Sequence, residues 1–187
     1  METVDQATDA SRTETALTRG ERLNAGMHTI KNHAITAMGI GVLPVPGIDL
    51  VALTTVQLNL VRKLGEMYGH KLSDQLGTKL IGSLLSGYLP LAIAAPVASV
   101  LKFIPGVGIA AGVLAQASLA GATTYAVGKL FLEHFESNGS FLDFDATRMK
   151  EKLKAKVEEG KDFLKKNTAS GTTGTTGTAA AGKPGTA

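Results

Sequence analysis

The chain contains no cysteine, no tryptophan and only three tyrosines in 187 residues. Without cysteine there is no disulfide framework, no thiolate chemistry and no cysteine-ligated zinc site. So few aromatic rings argue against a base-stacking platform and hence against a nucleic-acid partner. The first residues, Met1-Glu2-Thr3-Val4-Asp5, are acidic and polar. A secretory signal would place a basic start and an apolar run of about 7–15 residues there, so no export is expected. Charge is also scarce where it matters most: Phe103–Gly128 carries none over 26 positions.

What is present is apolar and unevenly distributed. The chain is 44% hydrophobic with a mean hydropathy of +0.13, enough for one domain with a sizeable core. Residues 1–33 and 137–187 are polar and 34–132 strongly apolar. The net charge is only +3, and the basic excess is local. Arg148–Lys166 holds eight Lys/Arg against four Asp/Glu, the composition of one amphipathic helix rather than a nucleic-acid surface.

Two apolar stretches open on the same Pro-Gly elbow. One reads Pro44-Val45-Pro46-Gly47-Ile48-Asp49-Leu50, the other Phe103-Ile104-Pro105-Gly106-Val107-Gly108-Ile109. With Pro46 set on Pro105, Gly47 meets Gly106, Gln57 meets Gln116 and Gly69 meets Gly128. The spacing predicts a duplicated helical hairpin. Proline at a helix start loses only an N–H that is orphaned there anyway.

The wider pattern is all-α, with no convincing strand. Helical spacing runs over Thr13–Ile40 and ends before Pro44. A second helix runs from Pro46 to about Tyr68, with Gly69 as a left-handed stop. Ser73 caps a third helix, reaching about Gly87. Tyr88–Ile104 reads as an apolar helix interrupted by Pro90 and Pro96, followed by a long helix over about Val107–Glu136. After the break at Ser137-Asn138-Gly139-Ser140, Asp143 is expected to cap a last helix with Met149, Leu153, Val157 and Leu164 on one stripe. The organisation expected is a disordered 1–12, a helical-hairpin domain over 13–140, a basic amphipathic helix over 141–167, and a disordered Thr/Gly/Ala tail over 168–187, too polar and small to offset its ordering entropy.

Length bears on a membrane. Twenty-six uncharged residues make about 39 Å of helix, enough for a hydrocarbon core of about 30 Å. The matching stretch Pro46–Val61 is about 24 Å and includes Asp49, so it suits a re-entrant hairpin or a buried hairpin in a bundle. Small residues at Gly108, Gly112, Ala115, Ser118 and Ala122 fit close-packed membrane helices, and equally tight hairpins in water.

Little of the chain suggests catalysis. Gly106, Gly108 and Gly112 mimic a dinucleotide loop but lack the preceding strand, so they read as packing. Gly177–Lys183 spells a phosphate-loop pattern, yet Pro184 replaces the magnesium-binding Ser/Thr. His28, His33, His70 and His134 show no helical metal-site spacing. No nucleophile–base pair supports a hydrolase. The sequence therefore points to no enzyme, no cofactor and no metal. Three polar positions stand out. Asp49 lies in a first helical turn, where the dipole favours an anion. Gln57 and Gln116 lie on apolar faces and need partners; they are expected to bond to each other or to facing backbone.

The run Pro44–Leu53 with Gln57 and Tyr68-Gly69, and Lys102–Gly106 with Thr123–Gly128, resemble the bacterial domain-of-unknown-function family six-nine-seven. The resemblance covers about residues 25–136. It implies an all-helical, usually membrane-associated domain without established activity, found in inner-membrane proteins and behind Era-like GTPase domains. No strand-anchored phosphate loop exists here, so any nucleotide-linked role needs a separate protein. The expectation is a non-enzymatic, membrane-associated module at the bacterial inner membrane or its cytoplasmic face. Membrane lipid and an unidentified protein, with a GTPase and a second copy among the candidates, would be its partners. The alternative is a cytoplasmic, soluble scaffold whose hairpins form a core or an oligomer interface.

Overall fold

The computed structural model describes residues 18–41, 48–88 and 107–171. Among them are five helices and no strand: α1 (Arg19–Ile40), α2 (Ile48–Met67), α3 (Asp74–Leu85), α4 (Val107–Glu136) and α5 (Ala146–Gly171). Helix ends are written locally. At α1, Thr18 accepts the Glu21 N–H through its side chain while the Glu21 carboxylate accepts the Thr18 N–H at 2.8 Å, a reciprocal capping box. Ser73 accepts the Leu76 N–H at the start of α3. Gly69 ends α2 at φ +76°, a left-handed turn that glycine adopts without a Cβ clash.

α4 is the hub, packing against α1, α2 and α5, while α3 packs on α2 and α5. From Ala120 to Gly128 every residue of α4 is buried. A helix surrounded on all sides needs apolar or small residues on every face, which is why this stretch is uncharged without being amphipathic. Length alone admits a bilayer span for this helix. Among the described residues, however, no helix is long and apolar enough to cross a membrane, and the middle of α4 is covered by protein.

Close contact sets the direction of each helix. A Cβ on Gly41 would lie 2.8 Å from Ala117 Cα, and one on Gly121 would lie 2.9 Å from the Ala34 carbonyl oxygen. Gly26 faces Leu132, so α1 runs antiparallel to α4. Gly160 of α5 faces the Ala122 backbone and Leu164 covers Gly121, with Lys156 paired to Glu133 further down; α5 is also antiparallel to α4. Gln57 meets Thr124, and Tyr68 meets Glu136, so α2 runs parallel to α4. The small residues that carry this packing are Ala117, Gly121 and Ala122 of α4 against Gly41, Ala34 and Gly160. Of the expected small-residue stripe, Gly112 and Ala115 are exposed.

Three boundaries differ from the sequence reading. The first helix begins at Arg19 rather than Thr13, because Thr18 leaves helical geometry and caps it. Asp143 does not cap α5: its carboxylate accepts the Ser140 hydroxyl at 2.6 Å and closes the preceding loop. Asp145 accepts the N–H groups of Thr147 (2.9 Å) and Arg148 (3.1 Å) instead. The cause is Phe144, whose ring stacks on Phe131 with centroids 4.1 Å apart and draws the chain inward before the helix can begin. α5 also continues past 167 to Gly171, with the Thr168 hydroxyl donating to the Leu164 carbonyl at 3.0 Å. The expectations for 1–12, for an interrupted helix over 89–104 and for a tail over 172–187 lie outside the described residues.

Candidate functional site

The five helices share two ends. One holds the starts of α1, α3 and α5 and the ends of α2 and α4, and it is charged. Glu136 is its centre. The Tyr68 hydroxyl donates to one carboxylate oxygen, and Arg19 Nε donates to the other at 2.7 Å. The Arg22 guanidinium lies 5.2 Å from the centre of the Tyr68 ring, whose other neighbour is Phe135 at 5.6 Å. The Tyr68 hydrogen bond, then Arg19, hold the Glu136 carboxyl below the usual carboxylate range. Burial, then the carboxylate acceptor, push the Tyr68 phenol well above its usual value.

A second polar seam joins α4 to α5. The Tyr125 hydroxyl donates to Glu159 at 2.9 Å, Lys129 and Lys156 lie 3.6 and 3.5 Å from the same carboxylate, and Lys156 also pairs with Glu133. Burial opposes ionisation of Glu159, but the Tyr125 hydroxyl and the two lysines outweigh it and leave the carboxyl below its usual range. Burial and this acceptor raise the Tyr125 phenol. In both clusters the acid is ionised at neutral pH and the phenol keeps its proton. Such groups fasten helices; they are poor proton donors or nucleophiles. The histidines are similarly occupied. His134 donates to the Ser140 carbonyl and His33 to the Thr29 carbonyl, each at 2.8 Å, and His70 packs against the rings of Phe135 and Phe141. No group of three potential metal ligands occurs among the described residues.

The opposite end is apolar. It holds the ends of α1, α3 and α5 and the starts of α2 and α4. Gln57 is nine residues beyond Ile48, whereas its partner Thr124 is seventeen beyond Val107. The start of α4 therefore reaches about two turns further along the bundle than that of α2. Burial of α4 begins at Ala117; Gly112, Leu114, Ala115 and Gln116 before it are exposed. Leu114 is 61% exposed, and Val51 in the first turn of α2 is 68% exposed.

This offset decides where the sequence-selected residues fall. Gln57 is 1% exposed and donates to Thr124 Oγ1 at 3.4 Å, whereas Gln116, equivalent by repeat, sits on the overhang. Gly69 ends a helix, whereas Gly128 lies mid-helix beneath Ile30. α2 and α4 each begin two residues after a proline, at Ile48 and Val107, but the expected matches of Gln57 with Gln116 and of Gly69 with Gly128 have no structural counterpart. Gly108 is the second residue of α4 and Asp49 the second of α2; the side-chain contacts of Asp49, and Pro46, Gly47, Pro105 and Gly106 entirely, lie outside the described residues. The Glu136 and Glu159 clusters were not visible in the sequence, because their members are brought together from helices far apart in the chain. The Thr18-x-x-Glu21 capping box was a local signal that could have been read.

Residues 5–162 match the family described as Domain of unknown function (DUF697). The chain belongs to that family. It is 36% identical over 138 residues to magnetosome membrane protein 22 of Magnetospirillum gryphiswaldense, covering 73% of this chain and 71% of that protein. No solved structure matches the chain.

Proposed function

We propose that this member of the family is a non-enzymatic helical module that works at a membrane. The observation that carries the reading is the 36% identity, over 73% of the chain, to a protein described as a magnetosome membrane protein. The charge distribution supports it. The two clusters that could have held chemistry instead tie α1, α2, α4 and α5 together, and the far end of the bundle exposes aliphatic side chains. The module sits at the inner membrane or its cytoplasmic face. Its charged end is then available to an unidentified protein partner, with a GTPase and a second copy as candidates. Fractionation of cells producing the full chain tests this. The protein is expected in the membrane pellet, resisting high-salt washing and released by detergent. Recovery in the soluble fraction without detergent would overturn the reading in favour of a soluble scaffold.

A further inference from the structure

We infer that the apolar end of the bundle is the surface that meets lipid, and that it seats on an anionic bilayer with the charged end facing away. This rests on the membrane reading above and adds the orientation and the lipid class. Three observations converge. The first is exposure: Val51 and Leu114 are large aliphatic side chains left in solvent on α2 and on the overhanging start of α4. Burial of such groups into the headgroup–acyl boundary is favourable in proportion to their area.

The second is the chain's course. Between Lys31 and Arg62 the only charged residue is Asp49, and between Lys79 and Lys129 it is Lys102. The chain leaves the described residues at Gly41 and Tyr88 and returns at Ile48 and Val107, all toward this end. The described residues that border the two charge-poor stretches thus lie at one end, a juxtaposition that the linear sequence does not reveal.

The third is the sign of the charge beside it. α5 runs toward this end and carries exposed Lys165 and Lys166 near its close, with no acidic residue after Asp162. Cations beside an apolar tip match lipid phosphates and an anionic surface potential. The opposite end also exposes large aliphatic residues, Leu142 at 86% and, near the start of α1, Leu23 at 41%. Asp143 and Asp145 flank Leu142, and an anionic surface would repel them.

Flotation of the purified full chain with vesicles tests the assignment, using phosphatidylglycerol/phosphatidylcholine mixtures and phosphatidylcholine alone. The wild type is expected to float with the anionic vesicles. Val51→Asp/Leu114→Asp is expected to partition about tenfold or more weakly, and Leu142→Asp to float like the wild type. Lys165→Glu/Lys166→Glu is expected to weaken flotation on anionic vesicles selectively. Circular dichroism and thermal unfolding establish that each variant is folded. A folded Val51→Asp/Leu114→Asp variant that floats undiminished would overturn the orientation while leaving membrane association intact. A wild type that floats with neither vesicle would overturn membrane association itself.

Discussion

Gly160 of α5 lies directly on the backbone of Ala122 in α4: a Cβ there would be 2.9 Å from the Ala122 carbonyl oxygen and 3.0 Å from its Cα. Backbone cannot rotate away as a side chain can, so Gly160→Ala must push α5 off α4. The expected loss is about 1–3 kcal/mol. Gly82 of α3 has open space at the same position, and Gly82→Ala should gain about 0.5–1 kcal/mol from helix propensity. Denaturant unfolding of both variants checks the contrast. Equal effects would show that the close approach of α4 and α5 does not carry stability.

The Glu136 cluster predicts a pH dependence. Its folded carboxyl lies below the ordinary value, so it contributes stability above the unfolded value of about 4.3 and loses it as pH falls through the folded value. Tyr68→Phe removes the largest cause of that shift. It should cost about 1 kcal/mol at neutral pH and flatten the acid limb of a stability–pH curve. The Tyr68 and Tyr125 phenols are shifted upward; their contribution is present below pH about 10 and lost as pH rises beyond it. Thermal midpoints of wild type and variant across the acid range decide the matter. Parallel curves would contradict it.

Gln57 predicts non-additivity. Its buried amide donates to the Thr124 hydroxyl. Thr124→Val removes that acceptor and should cost about 1–3 kcal/mol, because a desolvated donor is left unpaired. Adding Gln57→Leu removes the donor too, so the double variant should be more stable than Thr124→Val alone. Urea unfolding of the four members of the cycle measures the sign. An additive double variant would mean that the pair does not matter.

How much of this was legible depends on the range of each signal. Gly69, Ser73 and the limits of α4 were readable because caps, stops and long apolar runs act within a few residues. The start of α5 was misread because Phe144 reaches Phe131, a contact between separate elements that displaces the cap from Asp143 to Asp145. The uncharged run of α4 was ambiguous for a physical reason: burial by protein on every side and burial by lipid select the same residues. Gln57 and Gln116 looked equivalent because the repeat counts from each helix start, whereas burial is set by the two-turn offset between α2 and α4. The union of Tyr68 with Glu136, and of Tyr125 with Glu159, depends on helices meeting and has no local signature.

Because the chain lacks cysteine, a single environment-sensitive fluorophore can be placed at either end through Leu114→Cys or Leu142→Cys. On adding anionic vesicles, the label at 114 should shift to the blue and brighten, and the label at 142 should stay unchanged. A label at 114 that remains in water while the vesicle-bound protein reports a shift at 142 would contradict the account.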